Sequence, residues 1–208
     1  MKKQFIFIFY LFLSLFSAKA VFAQTAGSKP FAAMPFRFIG PDGNRTIAVV
    51  GEPGNPMVSY VGAASGGIWK TTDGGVHWKP IFDQMDNSSI GALAISKSHP
   101  QQVWAGTGET FVIRPAHANG NGIYKSSDGG KTWENKGLKE TVLISKVIVD
   151  PTDTNTIYVA AMGHMHGPQA ERGVYKTVDG GNHWERILFV DANTGCSDLS
   201  LNEKDPKN

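Results

Sequence analysis

Two long segments of the sequence carry most of the side chains that could do acid–base or ligand-binding chemistry. The first is GETFVIRPAHANGN, residues 108–121, and the second is GHMHGPQAERG, residues 163–173. Carboxylates and imidazoles can transfer protons, and guanidinium groups can hold anionic or carbonyl oxygens. We therefore predict ligand contacts at six residues of these segments: Glu109, Arg114, His117, His164, His166 and Arg172.

Each of these residues also has a structural interpretation. Glu109 is the one candidate for a catalytic acid, but a loop carboxylate can equally accept hydrogen bonds from nearby main-chain N–H groups. Glu171 and Arg172 can fasten their segment to its own strand. Two or three imidazoles can bind a transition metal, yet loop histidines without a nearby acidic or thiol partner are common. We therefore predict neither a metal nor a cofactor.

A repeated twelve-residue word determines which elements must position these segments. The three copies are GIWKTTDGGVHW, GIYKSSDGGKTW and GVYKTVDGGNHW, and their closing tryptophans follow one another at intervals of 55 and 51 residues. Three segments precede each copy along the chain. They are a run of alternating apolar and polar residues, then a turn that contains proline, and then a run of β-branched and aromatic residues. Each unit is therefore predicted to contain four short antiparallel strands, which is the pattern of a β-propeller blade.

The Asp-Gly-Gly step of each word has the composition of a turn between two strands. Glycine accepts positive φ, the Asp carboxylate can accept hydrogen bonds from nearby main-chain N–H groups, and the Ser or Thr two residues before the Asp can hydrogen-bond within the same turn. The closing Trp offers an apolar face to the layer between blades. A structural role is predicted for four residues of each copy: Thr71, Asp73, Gly75, Trp78, Ser126, Asp128, Gly130, Trp133, Thr177, Asp179, Gly181 and Trp184.

The order of the strands also predicts where a ligand would bind. If strands A to D meander, the A–B and C–D turns emerge at one end of the blade, and the B–C loops and D–A crossings emerge at the other. The two long segments are B–C loops, whereas the Asp-Gly-Gly turns are C–D turns. Loops of this length on a rigid scaffold commonly carry binding residues.

These words resemble a known repeat. TTDGGVHW, SSDGGKTW and TVDGGNHW match the Asp-box, or bacterial neuraminidase repeat, and the wider run from FRFIGPDGNR onward is similar to exported bacterial proteins with a sortilin-type propeller, which are often labelled glycosyl hydrolases. The resemblance covers about residues 35–208. It implies a β-propeller, but not one activity, because Asp-boxes occur in sialidases, xyloglucan-cleaving enzymes, sortilin-type receptors and photosystem assembly factors.

The resemblance leaves two functions open. In the xyloglucan-cleaving members a catalytic Asp stands in a stretch resembling GAASGGIWK, where this sequence has Ala64 beside Ser65. Sialidases need a cluster of arginines, which Arg37, Arg45 and Arg114 do not reproduce in a recognisable arrangement. We therefore expect a binding or scaffold module for a protein, peptide or glycan. The alternative is a glycoside hydrolase whose catalytic carboxylates lie mainly in blades beyond this sequence.

The first residues indicate export. MKKQFIFIFYLFLSLFSAKAVFA has the basic start, apolar run and small-residue ending of a signal peptide, residues 1–23. Its removal takes away three lysines and changes the formal net charge from +2 to −1. A near-neutral chain lacks the excess of basic residues that is typical of nucleic-acid-binding proteins, and no later stretch is apolar enough to span a membrane. A periplasmic, cell-surface or extracellular location is expected, and Cys196, the one cysteine, cannot form an internal disulfide.

The proline turns set the predicted domain boundaries. A lead-in segment at residues 24–44 is followed by blades near 45–83, 90–138 and 142–190, and by the start of a fourth at 195–208, where Pro206 marks the next turn. About three and a half blades do not close a propeller ring, which needs roughly four to eight. We therefore expect an N-terminal fragment that joins the remainder of a propeller.

Overall fold

The computed structural model describes residues 45–111 and 117–202. The predicted signal peptide and lead-in segment, Arg114, and the proline turn at Pro206 lie outside these described residues. No helix in the described residues is both long enough and apolar enough to cross a bilayer.

The described part of the chain forms three four-stranded antiparallel sheets, each made of consecutive strands. Blade 1 contains β1 (Thr46–Glu52), β2 (Asn55–Ala63), β3 (Ile68–Thr71) and β4 (Lys79–Pro80). Blade 2 contains β5 (Ile90–Ile95), β6 (Val103–Thr107), β7 (Ile123–Ser126) and β8 (Glu134–Asn135). Blade 3 contains β9 (Ile144–Val149), β10 (Ile157–Ala161), β11 (Gly173–Thr177) and β12 (Glu185–Leu188). The predicted all-β architecture of four-stranded β-propeller blades is confirmed.

The first strands of the three blades lie side by side, since β1 contacts β5 and β5 contacts β9. Glycines on the second strands make this close packing possible. A Cβ on Gly62 would lie 2.5 Å from Ile90 Cγ2, and a Cβ on Gly106 would lie 2.3 Å from Ile144 Cγ2. The absence of a side chain at these two positions therefore lets each blade approach the next.

Apolar side chains fill the space between successive blades. Between blades 1 and 2, Phe82 packs edge-on against Tyr124 and Trp133, with ring centroids 5.1 Å apart in both pairs. Between blades 2 and 3, Trp104 packs edge-on against Trp184 at 6.4 Å. Burial of these aromatic groups, together with the aliphatic side chains of the same clusters, stabilises each blade interface.

The Asp-Gly-Gly turns and the turns between the first two strands lie at the same end of the blades. In each blade the first glycine of the Asp-Gly-Gly turn donates its N–H to a main-chain carbonyl at the other turn, with N···O distances of 2.8–3.0 Å. The acceptors are Met57, Gln101 and Asn155. The long loops therefore occupy the opposite end, as the strand order predicts.

The Asp carboxylate holds each Asp-Gly-Gly turn closed. In blade 2, Asp128 Oδ1 accepts the N–H groups of Lys131 and Thr132 at 2.9 Å, and Oδ2 accepts the Thr132 hydroxyl at 2.6 Å. The Ser126 hydroxyl donates to Asp128 at 2.8 Å and accepts the Gly130 N–H at 2.8 Å. The hydrogen bonds from Thr132 lower the pKa of Asp128 to about 2.

The other two turns repeat this geometry with an imidazole in place of the threonine hydroxyl. His77 Nδ1 lies 2.7 Å from Asp73 Oδ2, and His183 Nδ1 lies 2.6 Å from Asp179 Oδ2. Hydrogen bonds from the main chain and then from the rings of these histidines hold the pKa of both carboxyls well below the ordinary value. These three carboxylates are engaged inside their own turns.

Candidate functional site

The long loops of blades 2 and 3 meet at the end of the propeller opposite the Asp-Gly-Gly turns. The rings of His117 and His166 lie 6.5 Å apart between centroids, with an angle of 68° between their planes. The two residues belong to B–C loops of adjacent blades, so the contact joins segments about 50 positions apart in sequence. We call the described parts of these loops, residues 108–111, 117–122 and 163–172, the loop face.

Arg172 fastens the blade 3 loop from within. Its side chain is buried, and its guanidinium donates to the main-chain carbonyls of Met162, His164 and Gly167; the His164 and Gly167 contacts are 2.6 and 3.0 Å long. A guanidinium presents several N–H donors in a fixed plane, which suits it to gathering carbonyls that have no strand partner. The predicted alternative for Arg172, in which it secures its own segment, is the arrangement present in the structure.

Gln169 completes the support of this loop. Its side-chain oxygen accepts the main-chain N–H of His164 at 2.5 Å, and its amide nitrogen donates to the carbonyl of Glu140. Both main-chain polar groups of His164 are thereby held, while its side chain is exposed. Gly163 is required beside them, because its φ is +79° and a Cβ there would lie 2.5 Å from Arg172 Cγ. The loop is a fixed platform for His164 and His166.

Glu109 supports the blade 2 loop in a similar way. Its side chain is fully buried and forms an ion pair with Arg45, which precedes β1 in blade 1. Its other carboxylate oxygen accepts the N–H of Ala118 at 3.3 Å, and its own N–H donates to the Ala118 carbonyl at 2.8 Å. Glu109 therefore uses its carboxylate inside the protein, as in the structural interpretation of this residue.

The blade 2 loop has further anchors on neighbouring segments. Asn87 donates its side-chain amide to the Asn119 carbonyl at 2.8 Å, and the Gly120 N–H donates to the Val142 carbonyl at 2.8 Å. A Cβ on Gly120 would lie 2.4 Å from the main chain of Thr107. The chain directly after His117 is therefore fixed on several sides.

Two features of the loop face are not revealed by the sequence. His117 Nδ1 is buried and has no hydrogen-bond partner in the described structure. Phe111 leaves 60% of its surface exposed although it is a large apolar side chain. Phe111 is not among the sequence-predicted contacts, and a large aromatic residue within a long loop was the signal that could have identified it.

The structure thus separates the predicted contacts into two groups. Glu109 and Arg172 are buried and bind other parts of the chain, whereas His117, His164 and His166 lie on the loop face. Arg114 lies outside the described residues. No group of three His, Cys, Asp or Glu side chains in the described ranges is arranged to hold a metal ion. What remains is a surface of imidazole, aromatic and other polar groups, with Glu171 among them, held by buried side chains.

The described loop face also differs from a glycosidase centre. Such a centre needs one carboxylic acid and a second carboxylate on either side of the scissile bond. The buried carboxylate here is paired with Arg45, and the three Asp-Gly-Gly carboxylates lie at the far end of the blades. Ala64 and Ser65 follow β2 at the position where the resemblance would place an acid.

Curated proteins similar to this chain are xyloglucan-degrading enzymes. A probable oligoxyloglucan-reducing end-specific xyloglucanase of Neosartorya fischeri is 28% identical over 148 residues, which is 70% of this chain and 17% of the relative. Xyloglucanase Xgh74A of Acetivibrio thermocellus is 22% identical over 194 residues, 85% of this chain and 22% of the relative. The chain spans about a fifth of the length of these relatives. No protein-family model matches it.

Solved structures with a similar fold are also β-propellers. An ancestral GH74 enzyme superposes with a TM-score of 0.55 at 25% identity, over 74% of this chain and 19% of that chain. YCF48 bound to D1 peptide superposes with a TM-score of 0.51 at 14% identity, over 74% of this chain and 44% of that chain, which shows the fold alone. Together these similarities support a β-propeller of a glycoside hydrolase-like family.

Proposed function

We propose that this chain is the blade-forming part of an exported Asp-box propeller that binds a neutral plant-type polysaccharide, of the xyloglucan class, on its loop face. The observation that carries the proposal is the meeting of two long loops from adjacent blades, both held by buried polar groups and both presenting aromatic rings. Ligand sites commonly combine apolar and aromatic surface with a few fixed polar groups. The xyloglucanase relatives supply the ligand class.

The proposed export rests on the sequence of residues 1–23, which has the three regions of a signal peptide. A protein outside the cytoplasm would encounter polysaccharide directly. The mature formal charge of −1 agrees with a neutral ligand better than with a polyanion, which a strongly basic surface would bind. N-terminal sequencing of the protein from the exported fraction tests this part, and we expect the first residue to be Gln24.

Binding is best tested by isothermal titration of the full chain with xyloglucan oligosaccharides. We expect Phe111→Ala to weaken binding about tenfold, which corresponds to about 1.4 kcal/mol, because an exposed ring is lost from the contact surface. Val76→Ala is the matched control, since Val76 is also exposed but lies in an Asp-Gly-Gly turn at the opposite end. Equal affinity of both variants and the unchanged chain would contradict a site on the loop face.

Glycoside hydrolysis is the second candidate, because the curated relatives are named xyloglucanases. The test is the release of reducing ends from xyloglucan by the protein and by Glu109→Gln. Turnover that is lost in Glu109→Gln but retained in Asp83→Asn would assign Glu109 to the catalytic pair. Turnover that survives in both variants would place the catalytic carboxylates elsewhere in the protein. Binding without turnover would favour the binding module.

A further inference from the structure

His117 is a half-buried residue of the loop face, and its Nδ1 atom is buried. Nδ1 of His117 has no hydrogen-bond partner in the described structure, and the same holds for Nε of Arg172 and for the Ser89 hydroxyl. An unpaired buried polar atom is unfavourable and uncommon in folded proteins. If the ring rotates so that Nδ1 becomes accessible, a ligand that supplies the missing hydrogen bond would remove this penalty.

We propose that His117 and His166 together form one recognition subsite for a sugar hydroxyl, in which the His117 ring rotates to bring Nδ1 out for the polar contact and the ring of His166 forms the adjoining wall. This inference rests on the function proposed above. The two rings come from different blades and lie 6.5 Å apart in an edge-to-face arrangement. Neither loop alone provides the subsite.

The described main chain around the subsite is in place before a ligand arrives. Ala118, the residue after His117, has both of its main-chain polar groups bonded to Glu109. His164, two residues before His166, has its N–H bonded to Gln169 and its carbonyl bonded to Arg172. Since this main chain is fixed, ligand binding requires little ordering of the described parts of these loops beyond rotation of the His117 ring.

The chemistry of the two loops favours a neutral hydroxyl over an anion. Arg172 commits its guanidinium to three main-chain carbonyls, and Glu109 is paired with Arg45. The other charged side chain on the described loop face is Glu171, whose carboxylate would repel an anionic ligand. A hydroxyl can donate or accept, so it can bond to Nδ1 of His117 in either tautomer of the ring.

The subsite is tested by titrating the full chain with a neutral xyloglucan oligosaccharide. His117→Phe keeps a ring of similar shape but removes Nδ1, and we expect at least a tenfold loss of affinity. Its urea midpoint should remain equal to that of the unchanged chain or rise, because the variant removes a buried atom that lacks a partner. A histidine that only supports the fold would instead give a lower midpoint.

His166→Ala provides a second variant that does not disturb the core, since this side chain is exposed. We expect it also to weaken binding, whereas His99→Phe, at the opposite end of blade 2, should bind normally. If Phe111→Ala weakens binding but His117→Phe and His166→Ala do not, the subsite is wrong and the proposed function stands. If the unchanged chain binds no oligosaccharide, both fail.

A metal ion is the competing ligand for two neighbouring imidazoles, and Zn²⁺ alone is the probe for it. The hydroxyl assignment predicts that Zn²⁺ leaves the melting temperature of the unchanged chain and of His117→Phe unaltered. A Zn²⁺-dependent rise in the unchanged chain that disappears in His117→Phe would overturn the assignment, because the pair would then be a metal site.

Discussion

Trp133 donates its indole N–H to the main-chain carbonyl of Ile81, 2.8 Å away in the preceding blade. Trp184 makes the same contact across the next interface, to the carbonyl of Lys136 at 2.7 Å. The Asp-Gly-Gly word therefore does more than close its own turn. Its last residue joins its blade to the one before it through both a hydrogen bond and an aromatic face.

Removal of the indole donor should weaken this junction. Trp133→Phe keeps an aromatic ring but leaves the Ile81 carbonyl without its partner, and we expect a loss of about 1–2 kcal/mol in the free energy of unfolding. Urea denaturation measures the loss. Trp78→Phe is the comparison, because the indole N–H of Trp78 donates to Gly75 within its own turn at 3.2 Å. A loss at Trp78 as large as that at Trp133 would contradict the interblade role.

A side chain on Gly130 should destabilise the protein in two ways. Its φ is +91°, and a Cβ there would lie 2.4 Å from Ile81 Cδ1 across the blade interface. Gly54 also has a positive φ, of +76°, but no atom lies within 4 Å of a Cβ at that position. Gly54→Ala should therefore cost about 1 kcal/mol, and Gly130→Ala about 2–3 kcal/mol, in unfolding experiments. Equal losses would show that the interface contact is unimportant.

The Asp-Gly-Gly turns should make the stability depend on pH in the acid range. Hydrogen bonds from Thr132 lower the pKa of Asp128 from the ordinary 3.8 to about 2 in the folded chain. Its ionised form is therefore favoured by folding. The resulting stability is complete above the unfolded pKa and is lost as the pH falls through about 2. Asp73 and Asp179 contribute in the same direction.

Asp128→Asn should make this acid dependence shallower. Urea unfolding at pH 7, 4 and 2.5 compares the variant with Asp86→Asn, in which the substituted carboxylate is exposed and lies outside the three turns. The Asp86→Asn curve should keep the slope of the unchanged chain. Identical slopes for the two variants would show that the turn carboxylate is not responsible.

Arg172 should control the order of the blade 3 loop. Arg172→Lys keeps the charge but cannot reach three carbonyls from one rigid plane, so we expect faster amide exchange in residues 163–171. Hydrogen exchange read by mass spectrometry resolves this segment, and about a tenfold acceleration corresponds to about 1.4 kcal/mol of lost local stability. Lys97→Arg, at the other end of blade 2, is the control. Unchanged exchange in the loop would mean that Gln169 alone is sufficient to keep the loop ordered.

The sequence alone determined the blade architecture. The sequence contains alternating runs, β-branched and aromatic runs, proline turns and three Asp-Gly-Gly words. Each pattern reflects interactions between residues a few positions apart. The twelve strands of the described ranges and the two ends of each blade could therefore be predicted from them. The position of the long loops at the end opposite the Asp-Gly-Gly turns follows from strand order alone.

Only the tertiary structure decided which polar residues of the long loops are buried. Glu109 and Arg172 have the residue types of a binding site, yet both side chains are buried. Glu109 forms an ion pair with Arg45, and Arg172 donates to three main-chain carbonyls. The same packing brings His117 to His166 and leaves Phe111 exposed. These relationships depend on contacts between residues that belong to different blades or lie on opposite sides of a folded loop, and no periodicity in the sequence records such distances.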